Sequence, residues 1–128
     1  VTEPTNAVDT AVAAVRDHFA ESQVEVIPDG AGGATVIVDH VDPGNRYTPR
    51  TTWLGFHISA AYPRADVYPH YIGCVARIDG QPHGPAVQTL DWNGRQALQL
   101  SRRSNGWNPA VDNAALKAEK VIKWFTTQ

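Results

Sequence analysis

At 128 residues the chain has the length of one ordinary domain, able to bury roughly two-thirds of its unfolded surface without metals or disulfides. Its formal charge of −2 is scattered over acids and bases, and the longest basic run is Arg102-Arg103. With no stripe of cations to neutralise phosphates, nucleic acid is not an expected partner. The one cysteine, Cys74, excludes an internal disulfide and a thiolate zinc cluster and fits a reducing compartment. No apolar run is long enough to span a bilayer and no basic-then-apolar leader is present, so the expectation is a soluble, cytoplasmic protein with no membrane partner.

From Asn6 to Glu21, the apolar residues Val8, Val12, Val15 and Phe19 recur at helical spacing, with Asn6 as the expected cap and Asp9 in the first turn. Val1 to Thr5 reads as a loose tail. Residues 23–28 alternate and stop at the turn Pro28-Asp29-Gly30; residues 34–41 follow and stop at Asp42-Pro43-Gly44. Sequential strands of this kind pair antiparallel. A third strand, Thr52 to Ser59, sets Leu54, Phe56 and Ile58 on one face and Trp53, Gly55 and His57 on the other.

Tyr62-Pro63 and Tyr68-Pro69 impose an extended bend. A fourth strand is expected over His70 to Ile78, with Ile72, Cys74, Ala76 and Ile78 sharing the inner face, which makes Cys74 an inert, inward thiol. Gly80 to Gly94, rich in Gly and Pro and containing His83, reads as a long surface loop. Beyond Trp107-Asn108-Pro109, Asp112 is positioned to cap a last helix with Ala114, Ala118, Val121, Ile122 and Phe125 as its buried stripe. Strands run between two helices without alternating with them. The expected class is a single α+β domain over residues 1–128: an N-terminal helix, a four-stranded antiparallel meander, a long loop carrying the active site, and a C-terminal helix.

That order, the Tyr62-Pro63 bend, and Asn93-Gly94-Arg95 followed by Leu98, Leu100, Trp107 and Pro109 resemble the ubiquitin-conjugating enzyme (UBC) family. The architecture matches over nearly the whole chain; the sharp motif covers residues 93–109. The ending at Gln128, soon after the last helix, is similar to compact bacterial members. The resemblance implies a carrier transferase that receives a ubiquitin-like modifier by transthiolation from an adenylating activating enzyme and passes it to an amine. It implies no cofactor of the chain's own, and in some bacterial members a metal-dependent deconjugating peptidase in the same pathway and a role in antiphage defence.

In that family the residue two after Asn-Gly-Arg is the thioester cysteine, and here it is Ala97. An engineered substitution is one reading, since alanine removes the sulfur and adds no bulk; a naturally inactive binding or adaptor module for a ubiquitin-like protein or partner enzyme is the other. The family's His-Pro-Asn motif is missing, its place falling near Val87 to Thr89.

Acyl transfer to an amine needs an oxyanion donor and a proton acceptor. Asn93, Thr89 and His83 are candidate donors, with a plain turn as the competing role for Asn93. Asp112 is a candidate to orient or deprotonate the amine, with helix capping as its competing role. Tyr62, Pro63, Arg102, Arg103 and Trp107 are candidate binding residues; a bend, a solvated pair and a packed turn are their bland alternatives. The five histidines show no paired ligand spacing, so no metal site is expected. A chance mimic of the motif would be exposed by Ala97 lying outside a surface groove beside Trp107 and Asp112.

Overall fold

The computed structural model describes residues 2–101, 106–109 and 112–128. In chain order the elements are α1 (Asn6–His18), β1 (Val24–Pro28), β2 (Ala34–Val41), β3 (Tyr47–Thr48), β4 (Thr52–Ile58), β5 (His70–Gly73), β6 (Ala76–Arg77), β7 (Val87–Trp92), β8 (Arg95–Leu100) and α2 (Ala114–Phe125). A six-stranded antiparallel sheet runs in the order β1-β2-β4-β5-β8-β7, with β3 and β6 forming a small separate ribbon. The class is α+β as expected, but the meander has more strands than four.

The differences have local causes. Residues 80–94 are not one long loop: Val87–Trp92 is a strand, and Asn93 and Gly94 both take positive φ (50° and 78°), the two-residue turn that joins it to β8. This conformation of both turn residues follows the right-handed twist of the flanking strands, and Asn-Gly suits it. The fourth strand stops at Gly73. Beyond it Cys74 is exposed and Val75 is buried, and Ala76–Arg77 pairs with β3 instead of continuing the large sheet. Cys74 therefore faces out, the reverse of the expectation from simple alternation.

The helix ends also shift. Thr5, not Asn6, caps α1, its hydroxyl accepting the Val8 N–H at 3.2 Å; Asn113, not Asp112, caps α2, accepting from the Leu116 N–H at 2.9 Å. The expected loose tail is tied down by Thr2 and Thr5 N–H groups donating to the Gly30 and Gly32 carbonyls, each at 3.0 Å.

Both helices pack on one face of the sheet. Val8, Ala11 and Val15 of α1 and Ala114, Ala115 and Ala118 of α2 meet Val36, Val38, Leu54, Phe56 and Ile58. Ile72, Leu98 and Leu100 continue this core toward Val121 and Phe125. Tyr47 of the small ribbon stacks on Phe125 with ring centroids 4.4 Å apart, and its hydroxyl sits 3.0 Å from the Phe125 and Gln128 carbonyl oxygens. The ribbon thus holds the C-terminal end of α2.

The opposite face of the sheet is roofed by aromatic rings. Trp92, at the end of edge strand β7, lies between Tyr71 and Trp53, its ring centroid 4.5 and 5.8 Å from theirs and nearly parallel to both. Its ring rests on Gly55 of β4, two strands beyond β8. Arg95 lies over Trp53 at 5.2 Å and reaches to 4.0 Å from Glu25 of β1, at the far side of the sheet. The β7–β8 tip must therefore curl across this face. Only glycine fits below: a Cβ on Gly55 would collide with Trp92, and one on Gly73 would collide with Thr52 Oγ1 and fall 2.7 Å from Trp53 Nε1.

A Gly55→Ala substitution is expected to cost about 1–3 kcal/mol by overpacking and to weaken the near-ultraviolet circular dichroism of the stacked tryptophans. Urea unfolding of the two proteins checks it, and an unchanged midpoint with an unchanged aromatic signal would count against the roof.

Candidate functional site

The predicted site residues separate into three places. Ala97 is in the interior of β8, directly opposite Gly73 on one side and Leu90 on the other, with no exposed surface. Because Leu98 and Leu100 point to the helices, Ala97 points to the roofed face. Gly73 beside it lies against Thr52 and Trp53, and the Trp92 ring rests on Gly55 of the same face. Ala97 is thus a sealed interior position on the face that carries the aromatic rings, not the lining of a surface groove beside Trp107 and Asp112. Asn93 occupies the hairpin turn, as the plainer of its two readings held.

The second place is the entrance to α2. The Tyr62 hydroxyl accepts the Ala114 N–H at 3.1 Å, one of the orphan donors at the helix start. Tyr62 is 7 % exposed, and burial pushes its phenol above the ordinary range, outweighing the opposing hydrogen bond from Ala114. Trp107 Nε1 donates to the Pro63 carbonyl at 2.8 Å, and its ring lies 6.3 Å from that of Tyr62. Asp112 accepts the Asn108 N–H at 2.8 Å and lies 3.5 Å from Lys120 Nζ, so it closes the turn before the helix. Tyr62, Pro63, Trp107 and Asp112 form a clamp on α2. Arg102 and Arg103 lie outside the described residues.

Beneath the clamp is a buried polar group that sequence patterning missed. Lys117 of α2, 3 % exposed, pairs with Asp66 at 3.0 Å. His70, at the start of β5, is fully buried against Phe56, and neither ring nitrogen has a hydrogen-bond partner among the described residues. Desolvation, helped by the Lys117 charge and opposed by Asp66, lowers its pKa to about 3. The apolar alternation of β4 and β8 marks His70 as inward only once the pairing of His70 with Phe56 and Leu100 is known.

The third place is a pocket of about 280 Å³ between the β5–β6 connection and the β7–β8 hairpin. It gathers two of the predicted donors, His83 and Thr89, with Cys74, Arg77, Gln81 and Leu98. His83 Nε2 donates to the Val75 carbonyl at 2.8 Å, and the ring stacks on Tyr47 with centroids 5.9 Å apart. Arg77 makes two hydrogen bonds to Asp79, at 2.8 and 3.1 Å, which raise the guanidinium pKa and lower that of the carboxyl. Alternation carried through Gly73 makes Cys74 an inward thiol, whereas it is exposed; glycine in a strand is the available sign of such a break.

On the sheet edge, Asp29 holds the β1–β2 turn. It accepts from the Ala31 and Gly33 N–H groups at 2.7 and 3.0 Å and lies 2.7 Å from His57 Nε2, a hydrogen bond that leads the other causes in lowering its pKa. Among the described residues no group of three or more His, Cys, Asp or Glu side chains is arranged to hold a metal ion, and no helix is long and apolar enough to cross a membrane. Comparison of the chain with protein-family models, curated proteins and solved structures gives no match.

Two outcomes follow. Tyr62→Phe removes the acceptor for the Ala114 N–H and is expected to cost about 1 kcal/mol, read by urea unfolding, with an unaltered midpoint contradicting the clamp. His70 has a folded-state pKa of about 3 against 6.5 when unfolded, so between these values the unfolded chain binds the extra proton and stability falls as pH falls. By about pH 4 the loss approaches roughly 3 kcal/mol, and His70→Leu should flatten the stability profile over that window. Equal acid sensitivity in the two proteins would assign it elsewhere.

Proposed function

We propose that the motif over residues 93–109 is a chance likeness to a thioester site, since Ala97 lies outside a surface groove beside Trp107 and Asp112. On the helix–sheet–helix order alone, the chain is then a non-catalytic binding domain, the adaptor reading, which docks a ubiquitin-like protein or its adenylating activating enzyme. One observation favours this reading over the carrier transferase: Ala97 has no exposed surface and is held in register between Gly73 and Leu90. A thioester nucleophile must meet a carbonyl carried by another protein. A sulfur at position 97 would sit at a position with no exposed surface inside a fully paired sheet, where reaching it requires the hairpin to open.

Alanine there also has a packing reason. On this face Gly55 and Gly73 lie against tryptophan rings, and Ala97 pairs with Gly73 at a sealed position that a larger side chain would overpack. The residue type at 97 is accounted for without a deleted nucleophile, which favours a native alanine over an engineered one. Asn93 and Asp112 are equally well used by the turn and the helix entrance.

The experiment is made in a Cys74→Ser background. The thiol introduced by Ala97→Cys is expected to react with a maleimide at least about 100-fold more slowly than Cys74 of the unsubstituted chain, the protection that an opening free energy of about 3 kcal/mol confers. Incubated with ATP, the activating enzyme and the ubiquitin-like protein, the variant should form no reductant-sensitive adduct, while calorimetry detects binding to one of them. A thioester at position 97 of the variant would restore the carrier transferase, and absence of binding to either protein would remove the adaptor reading.

A further inference from the structure

The turn that joins β7 to β8 carries a chemistry that a plain turn does not use. Asparagine followed by glycine occurs twice in the chain, at Asn93-Gly94 and Asn105-Gly106, and the second begins outside the described residues. We propose that Asn93 is a self-modification site: its side-chain amide is lost as ammonia through a ring closed by the Gly94 nitrogen, and the isoaspartyl link that results releases the aromatic roof.

The reaction needs a backbone nitrogen that can reach the asparagine's own Cγ. A side chain on the following residue crowds that approach, and glycine has none. Asn6, Asn45 and Asn113 are followed by Ala7, Arg46 and Ala114, and Asn108 by Pro109, whose nitrogen carries no proton. At the hairpin tip both Asn93 and Gly94 are exposed, and no atom stands within 4 Å of where a Gly94 side chain would begin. Water, which enters in the second step, therefore meets the site from an open side. Both residues hold positive φ, and closing the ring draws Asn93 out of this left-handed turn. That movement frays two exposed residues, among the least costly openings a fold has.

In the first step the Gly94 nitrogen bonds to Asn93 Cγ, the Cγ–Nδ2 bond breaks, and ammonia leaves with the Gly94 proton. In the second, water opens the cyclic imide at either carbonyl. Cleavage at Cγ leaves aspartate in an unaltered main chain. Cleavage at the backbone carbonyl carbon routes the main chain through the side chain as isoaspartate. Water is the one reagent consumed.

The two products differ in what they do to the sheet. Asp-Gly suits the same two-residue turn, so aspartate keeps the hairpin. Isoaspartate adds one carbon to the main chain between Trp92 and Arg95, the last pair of the β7–β8 ladder. Those two residues anchor the roof: Trp92 lies between Tyr71 and Trp53, and Arg95 lies over Trp53 and reaches toward Glu25. The longer link cannot hold the paired left-handed geometry that sets their register, so the rings lose their fixed stack.

The test ages the full chain in mildly alkaline buffer and follows it by intact mass and peptide mapping, using a protease that cleaves before aspartate but not isoaspartate. Conversion is expected at Asn93 and not at Asn6, Asn45, Asn108 or Asn113, at a rate no more than about ten-fold below that of the guanidinium-unfolded chain. The isoaspartyl form, separated by anion exchange, should lose most of the near-ultraviolet circular dichroism of the stacked tryptophans. Asn93→Asp should keep it, and Asn93→Gly serves if that variant does not fold. An Asn93 amide that stays intact in the folded chain while the unfolded chain converts, or an isoaspartyl form with the native aromatic signal, overturns the proposal. No partner protein takes part, so these outcomes are independent of the adaptor test.

Discussion

The placement of Trp92 between Tyr71 and Trp53 governs the half of the molecule opposite the helices. Parallel rings at these separations bury their faces in one another, so the three side chains act as a closed stack and not as an open platform for a ligand. Several features depend on it: glycine at 55 and 73, and the curl that brings Arg95 over Trp53 and toward Glu25. An edge strand left flat would offer its free N–H and C=O groups to other chains; a hairpin drawn across the sheet presents a twisted edge instead.

The helix side is organised differently, by polar anchors at both ends of α2. At its start the Tyr62 hydroxyl and Asn113 accept from the first-turn N–H groups, and Trp107 ties the incoming chain to Pro63. At its end Tyr47 holds the last carbonyls. Between them Lys117 is buried with Asp66 beside an uncharged His70. Burying an ion pair is seldom a net gain over apolar packing, but it fixes which turn of the helix faces the strap carrying Asp66. Aligning α2 this way also positions the small ribbon, and with it Tyr47 against His83.

Periodicity and punctuation made much of this legible. Val8 and Val15 on α1, Leu54, Phe56 and Ile58 on β4, and Ala114, Ala118, Val121 and Phe125 on α2 all face the core as their spacing requires. The hairpin was hidden because Gly80, Pro82, Gly84 and Pro85 dominate the composition before it, and residues 87–92 carry too few apolar side chains for an exposed edge strand to stand out. The helix caps moved by one residue, which local propensity does not resolve. Cys74 was misplaced for a physical reason: alternation holds only while the ladder holds, and the ladder of the large sheet ends at Gly73.

The candidate site was legible residue by residue but not as an assembly. His83 and Thr89 have the right chemistry in sequence, yet their pocket exists only because β7 folds back on β8 and β6 leaves the main sheet for β3. Position 97 shows the converse. Its neighbours in sequence, Asn93-Gly94-Arg95 and Leu98, suggest a reactive loop, whereas its neighbours in space, Gly73 and Leu90, and its lack of exposed surface suit a small inert side chain. Cross-strand neighbours settle whether a side chain meets solvent, and they are set by register over long separations in the chain. Gly73 pairs with Ala97 while Cys74 next to it turns outward, so one residue along the same segment separates a sealed floor from an accessible thiol.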